Sequence, residues 1–177
     1  MTPAAHPANG EDDAARNAPA ATPSQQTRHP QLVVWGAHGG AGTTTLATWL
    51  QPAWDMGAVR PEPRPRYPAS VASGRPLIVT CRNTAPSTAQ ATKAVTTVNS
   101  HAGRVAVLAV ISDGWPEPPT ATSRLQLLEP LVGAVIRVPF VPGLRLADDP
   151  AYVPLSRSAL RALDRIRAAT GRTSPTS

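Results

Sequence analysis

Three glycines and three threonines fall within seven residues of one another, in Gly39-Gly40-Ala41-Gly42-Thr43-Thr44-Thr45, just after Ala37-His38. Those residue types in that order suit one chemistry above others, the holding of an anion. Glycine lets the backbone take conformations closed to other residues and come close to a bound group. The backbone N–H groups of such a turn, with the start of the helix that follows, then face a phosphate whatever the side chains are. Thr44 adds a hydroxyl, a hard oxygen of the kind magnesium accepts. Arg82 lies after a second apolar segment and is the cation best placed to add charge. The opposing possibility is a glycine-rich strand-to-helix turn that binds nothing. His38 either contacts phosphate or caps the turn, and Asp113 either reads the donors of a base or starts the Asp113-Gly114 turn. No group of His, Cys and Asp has metal-ligand spacing and no Ser-His-Asp arrangement can be assembled, so no catalytic residue is assigned.

The elements that must position this loop are four short apolar runs, Leu32–Trp35, Leu77–Thr80, Val105–Ile111 and Ala134–Val138. Each is rich in β-branched residues and continuous rather than alternating, as expected of strands covered on both faces. Helical segments follow them at about 43–51, 87–100, 119–131 and 156–170. The alternation predicts an α/β fold: a small, mostly parallel sheet of about four strands flanked by helices, with Leu32–Trp35 and Val105–Ile111 central. In the last helix Ala159, Leu160, Leu163 and Ile166 form an apolar stripe, Ser156 is the N-cap and Gly171 the stop. Residues 52–76 break the pattern. Pro52, Pro61, Pro63, Pro65, Pro68 and Pro76 exclude a central strand or helix there and predict a proline-rich connector. Residues 1–29 and 171–177 contain almost no large apolar side chains and read as disordered tails, leaving 30–170 as one domain.

The chain has 177 residues, 41% of them hydrophobic and only 4% aromatic, so its core must be built mainly from Val, Leu, Ile and Ala. Its net charge is +6 and nearly all the basicity is arginine, Lys93 being the single lysine. Such a surface admits a nucleotide, a nucleic acid or another anionic partner. Codon bias in a high-GC genome gives the same composition. Arg157, Arg161 and Arg165 recur at spacing four on the last helix, where they form either a solvated face or a phosphate-binding row. Cys81 is alone, which excludes an intrachain disulfide and a cysteine metal cluster. No run is long and apolar enough for a membrane span and no secretory leader is evident, which predicts a cytoplasmic protein.

In the usual P-loop a lysine follows the last glycine and a Ser or Thr follows the lysine; here Thr43 holds the lysine position and Thr44 the magnesium position. At these residues the chain resembles the ParA/MinD group of P-loop proteins, whose loop reads Lys-Gly-Gly-x-Gly-Lys-Thr-Thr. His38 stands at that group's signature lysine, and the missing second lysine is similar to the atypical CpaE/TadZ branch. Val79-Thr80-Cys81-Arg82, Val110-Ile111-Ser112-Asp113 and Val138-Pro139-Phe140-Val141-Pro142 resemble the group's later segments, the last two flanking its adenine base. The chain also resembles small P-loop-like proteins of high-GC bacteria. The resemblance implies ATP or another nucleotide with Mg2+ as ligand, held by Gly39, Gly40, Ala41, Gly42, Thr43, Thr44 and Thr45 with Arg82 as auxiliary and Thr44 on the metal. It also implies two aspartate-bearing switch segments, for which the sequence offers only Asp55 and Glu62. Neither follows an obvious strand, so neither reads as a magnesium-holding carboxylate.

The expectation is therefore a regulatory protein that binds nucleotide or phosphate and hydrolyses little or none of it. The alternatives are a pseudo-NTPase adaptor that uses the same scaffold for a protein partner without nucleotide and, less directly, a DNA-associated accessory protein.

Overall fold

The structure is a computed structural model that describes residues 32–58, 74–101 and 103–171. The expected tails at 1–29 and 172–177, and the connector at 59–73, lie outside the described residues. Five strands form one sheet: β1 (Leu32–Gly36), β2 (Ala53–Ala58), β3 (Leu77–Arg82), β4 (Val105–Ile111) and β5 (Val135–Val138). Every pairing is parallel and the spatial order is β2-β1-β3-β4-β5. Among the described residues four α-helices accompany it, α1 (Thr43–Trp49), α2 (Ala85–Ser100), α3 (Pro119–Leu128) and α4 (Arg157–Gly171).

The expected α/β class holds, and the apolar runs of β1, β3 and β4 are buried strands for the stated reason, whereas β5 lies at the sheet edge, burying Ile136 and Val138 and exposing Arg137. Val33 and Trp35 point to one face of the sheet with Val79, Leu108 and Val110, where Val95 and Val98 of α2 and Leu125 and Leu128 of α3 cover them. Val34, Ile78, Val107 and Ala109 point the other way, onto Leu46 and Leu50 of α1 and Leu163 and Ile166 of α4. A sheet loaded on both faces needs uninterrupted apolar strands, because neither side of the pleat meets water. β1 and β4 are interior as expected, with β3 between them at the centre.

The fifth strand is a correction. Residues 53–58 belong to the stretch read as connector, yet Ala-Trp-Asp-Met-Gly-Ala pairs in parallel with β1, Val34 opposite Asp55. It is an edge strand, half-exposed throughout. An edge does not need the β-branched run that marks a buried strand, and Pro52 stands just before this strand with no further proline until Pro61.

Helix boundaries moved for identifiable reasons. α2 starts at Ala85 rather than 87, because the Thr84 side chain caps it by accepting from the Ser87 N–H and Pro86 is tolerated in a first turn. α3 stops at Leu128 and tightens into a 3₁₀ turn over Glu129–Leu131, since Pro130 has no N–H to continue the ladder. In α4 the Ser156 hydroxyl accepts from the Ala159 N–H, as the cap predicted. The buried stripe is Ala159, Ala162, Leu163 and Ile166, while Leu160 is 47% exposed. One residue past Ala159 is about 100° around the helix, which turns Leu160 to solvent.

Candidate functional site

All five strands run the same way, so the segments leaving their C-terminal ends gather on one side of the molecule. From β1 the chain crosses to β2 on one flank, then returns to β3 on the other. The connections after β1 and β3 therefore leave in opposite directions and open a crevice between them, the usual ligand position of such sheets. The glycine loop sits at that crevice.

The loop's shape rests on two of its three expected glycines. Gly40 and Gly42 have φ of 77° and 85°, a region other residues avoid. Gly42 also lies against Ile111, whose Cγ1 would be 3.3 Å from an added Cβ. Gly39 has neither constraint: nothing lies within 4 Å of where its Cβ would be. A fourth glycine, Gly36, matters for packing, because a Cβ there would collide with the Thr43 hydroxyl. Among the described residues, no group accepts from the backbone N–H of Gly39, Gly40, Gly42, Thr43, Thr44 or Thr45. Those donors line a turn that is otherwise firmly tied. Ala37 N–H donates to Thr80 O at 2.9 Å, and Arg82 Nε donates to Gly40 O at 2.9 Å. His38 bonds Gly39 O through Nδ1 and the Ser87 hydroxyl through Nε2, and Ser87 Oγ accepts from the Arg82 N–H at 2.6 Å.

Thr43 and Thr44 take opposite directions. The Thr43 side chain is buried beneath the loop, its hydroxyl 3.1 Å from that of Thr80, which reaches Trp35 O. Only its backbone N–H is open to a ligand, so Thr43 does not replace a lysine's reach. Thr44 is exposed, and its hydroxyl donates to Asp55 Oδ2 at 2.7 Å. The other carboxylate oxygen of Asp55 accepts from the Gly57 N–H at 2.8 Å, which fixes the carboxylate's orientation.

The pairing removes the ground on which Asp55 was set aside. Without a recognisable strand it had no claim to a metal role; the edge strand β2 carries it alongside β1 to the mouth of the loop. Glu62 lies outside the described residues. A threonine hydroxyl beside a carboxylate is a hard-oxygen pair that fits Mg2+, an ion that takes one or two protein ligands and fills its shell with water and phosphate oxygens. Among the described residues there is no cluster of three or more His, Cys, Asp or Glu that would hold a metal unaided.

Beside the loop lies a cleft of about 310 Å³. Gly42, Thr45 and Arg82 border it at the loop end; Ser112 and Asp113 after β4, and Pro139 and Phe140 after β5, border the rest. Trp49, Ile111, Val138 and Leu144 give it apolar walls. The segments expected to flank a base thus converge on one cavity with the glycine loop. Arg145 stands over the Phe140 ring, 4.9 Å from its centroid.

Other singled-out residues fall away from this site. Arg157, Arg161 and Arg165 are exposed along α4, and Lys93 is exposed on α2. Trp115 is 75% exposed, although its backbone is anchored. Trp49, in the wall of the cleft, donates from Nε1 to Pro150 O at 3.0 Å. Burial pushes the Cys81 thiol up to about 12, which keeps it un-ionised and inert as a nucleophile. No helix among the described residues is long and apolar enough to cross a membrane. Comparison with known proteins finds no protein family, no curated protein and no solved structure that matches the chain.

Proposed function

We propose that this chain is a phosphate- or nucleotide-binding regulatory protein, of ParA/MinD-like type, whose output is its bound state rather than turnover. The observation that carries the reading is the Thr44–Asp55 hydrogen bond at the mouth of a loop in which, among the described residues, the amides of Gly39, Gly40 and Gly42 to Thr45 have no acceptor, while that of Ala41, expected to join them, donates to His38 O at 3.3 Å. A strand-to-helix turn kept only for connection has no need to bring a carboxylate from the neighbouring strand onto its second threonine. Phosphate oxygens would meet the N–H groups of Gly40 and of Gly42 to Thr45. Arg82, bordering both loop and cleft, supplies the positive charge. Thr44 and Asp55 would hold Mg2+, which neutralises phosphate charge when bound.

Binding without efficient hydrolysis follows from the same geometry. Phosphoryl transfer needs charge stabilisation that tracks the moving phosphoryl group. The residue in the lysine position is tucked under the loop, and the nearest guanidinium is engaged with Gly40 O. Calorimetry with ATP, GTP, ADP and pyrophosphate, each with and without magnesium, tests the reading. Magnesium-dependent binding that Asp55→Ala weakens is expected. If neither nucleotide nor pyrophosphate binds at millimolar concentration, the loop is an inherited turn and the adaptor reading replaces this one. Turnover at an ordinary enzymatic rate, abolished by Thr44→Ala, would overturn the claim about hydrolysis.

A further inference from the structure

The cleft beside the loop has a polar end whose character is set by one carboxylate. Asp113 lies at the C-terminal end of the sheet, just beyond β4, and borders the same cavity as the apolar side chains of Trp49 and Leu144. Its Oδ1 accepts from the Trp115 N–H at 2.9 Å. No described residue donates to Oδ2. The turn that carries it is held from two directions. Asn83, buried at the end of β3, accepts from the Asp113 N–H through Oδ1 at 3.2 Å and donates through Nδ2 to Trp115 O at 2.9 Å. Gly114, with φ of 98°, closes the turn against Phe140, whose ring would be 3.2 Å from an added Cβ. Both ends of the Asn83 amide are therefore spent on fixing the residues on either side of one carboxylate, and such use of a buried side chain serves positioning.

We infer that Asp113 makes this cleft selective for guanine over adenine nucleotides, with Asn83 as the residue that positions it. The inference rests on the nucleotide-binding reading above and names the base. An ionised carboxylate only accepts hydrogen bonds, so it suits an edge that presents adjacent donors. Guanine offers N1–H and the N2 amino group side by side. Adenine offers an acceptor, N1, next to its N6 amino group, and would set a lone pair against the carboxylate. Arg145 borders the same cleft and only donates. It complements the guanine O6 acceptor and opposes the amino group that adenine carries at the corresponding position.

The test is direct binding of GDP, ADP and xanthosine diphosphate to the full chain, by calorimetry and by the rise in melting temperature. GDP is expected to bind about 10- to 100-fold more tightly than ADP, the range for hydrogen bonds to a charged group. Asp113→Asn keeps an oxygen for the Trp115 N–H, so the turn survives, and an unchanged melting temperature without ligand checks this. An amide presents one donor and one acceptor, which matches xanthine, where a carbonyl replaces the N2 amino group. The variant should lose GDP affinity by a similar factor and gain xanthosine diphosphate. Asn83→Ala should lower the preference for GDP over ADP while leaving pyrophosphate affinity in place. Equal binding of GDP and ADP, or a GDP affinity indifferent to Asp113→Asn, would overturn the guanine assignment and leave the phosphate site standing. Failure of pyrophosphate and every nucleotide to bind would remove both.

Discussion

The glycines of the loop are alike in sequence, and the structure separates them into three cases that stability measurements can tell apart. Gly42 has φ of 85° and Ile111 Cγ1 3.3 Å from where a Cβ would sit. Placing an L-residue in the left-handed region costs roughly 1–2 kcal/mol, and the crowding by Ile111 adds to it, so Gly42→Ala should destabilise by about 1–3 kcal/mol. For a chain of this size that corresponds to a melting point lower by about 2–4 °C per kcal/mol. Gly39 lies in open space with no unusual φ. Gly39→Ala should be neutral or stabilising by up to about 1 kcal/mol, since it restricts only the unfolded chain. Gly36 is the third case: the Cβ of Gly36→Ala would collide with the Thr43 hydroxyl, so its cost should fall when Thr43 is also changed to Ala. Urea denaturation of the three single variants and the double variant, read at constant m, gives the comparison. If Gly39→Ala costs as much as Gly42→Ala, the loop does not have the backbone described here.

Three further outcomes are expected. Glu117 is held below the usual carboxylate range, chiefly by its hydrogen bonds from Arg137, opposed by partial desolvation and helped by Thr122. A depressed carboxylate stabilises the fold above its unfolded pKa and loses that contribution as pH falls through the folded one; the stability gap between the native chain and Arg137→Gln should therefore be present at neutral pH and shrink below about pH 4.5 in an acid titration of the melting temperature. Ile166 is fully buried between α4 and the sheet, so Ile166→Ala should cost about 2–5 kcal/mol in chemical denaturation. Arg157, Arg161 and Arg165 are exposed at intervals of roughly 6 Å along α4; any DNA binding should weaken steeply with salt, and replacing all three by alanine should flatten that slope.

What could be read from the sequence was what burial dictates. β1, β3 and β4 had to be continuous apolar runs because both faces of the sheet are covered there, β5 kept enough of the pattern at the edge to be seen despite its exposed Arg137, and the turn after β1 showed itself through residues that only a special backbone needs. β2 carried no such mark. Its Ala-Trp-Asp-Met-Gly-Ala stretch is an edge strand flanked by prolines, with one polar residue in the middle. Asp55 was invisible as a partner of Thr44 for that reason, since their proximity depends on a pairing that no periodicity announces. The direction of Thr43 was equally hidden. Whether a threonine after the last glycine faces ligand or sheet depends on Thr80 across the β1–β3 pair and on the absence of a side chain at Gly36, both remote from it in sequence. Asn83 was missed altogether. A polar residue one step past a strand reads as a loop residue, and only the return of β4 alongside β3 gives its amide two backbone groups to hold.

The identity of residue 43 and the rigidity of the loop are connected. A lysine after Gly42 would carry its charge toward the ligand on a long flexible stem. Thr43 instead puts a short hydroxyl under the loop, and the Thr43–Thr80–Trp35 chain, the Arg82–Gly40 bond and the His38–Ser87 bond each fix part of the turn from a different element. Under the proposed function, an anion entering a loop held in that way would order little that was free, and less of the interaction energy would go into ordering. The charge that the lysine would have supplied in the transition state is not restored by this arrangement, because rigidity helps the resting complex and the transition state equally. Uniform binding lowers the dissociation constant without accelerating the chemical step. If the loop holds the proposed ligand, Arg82 must choose between Gly40 O and an incoming phosphate, and both Arg82, through its backbone N–H, and His38 connect the loop to Ser87 in the first turn of α2.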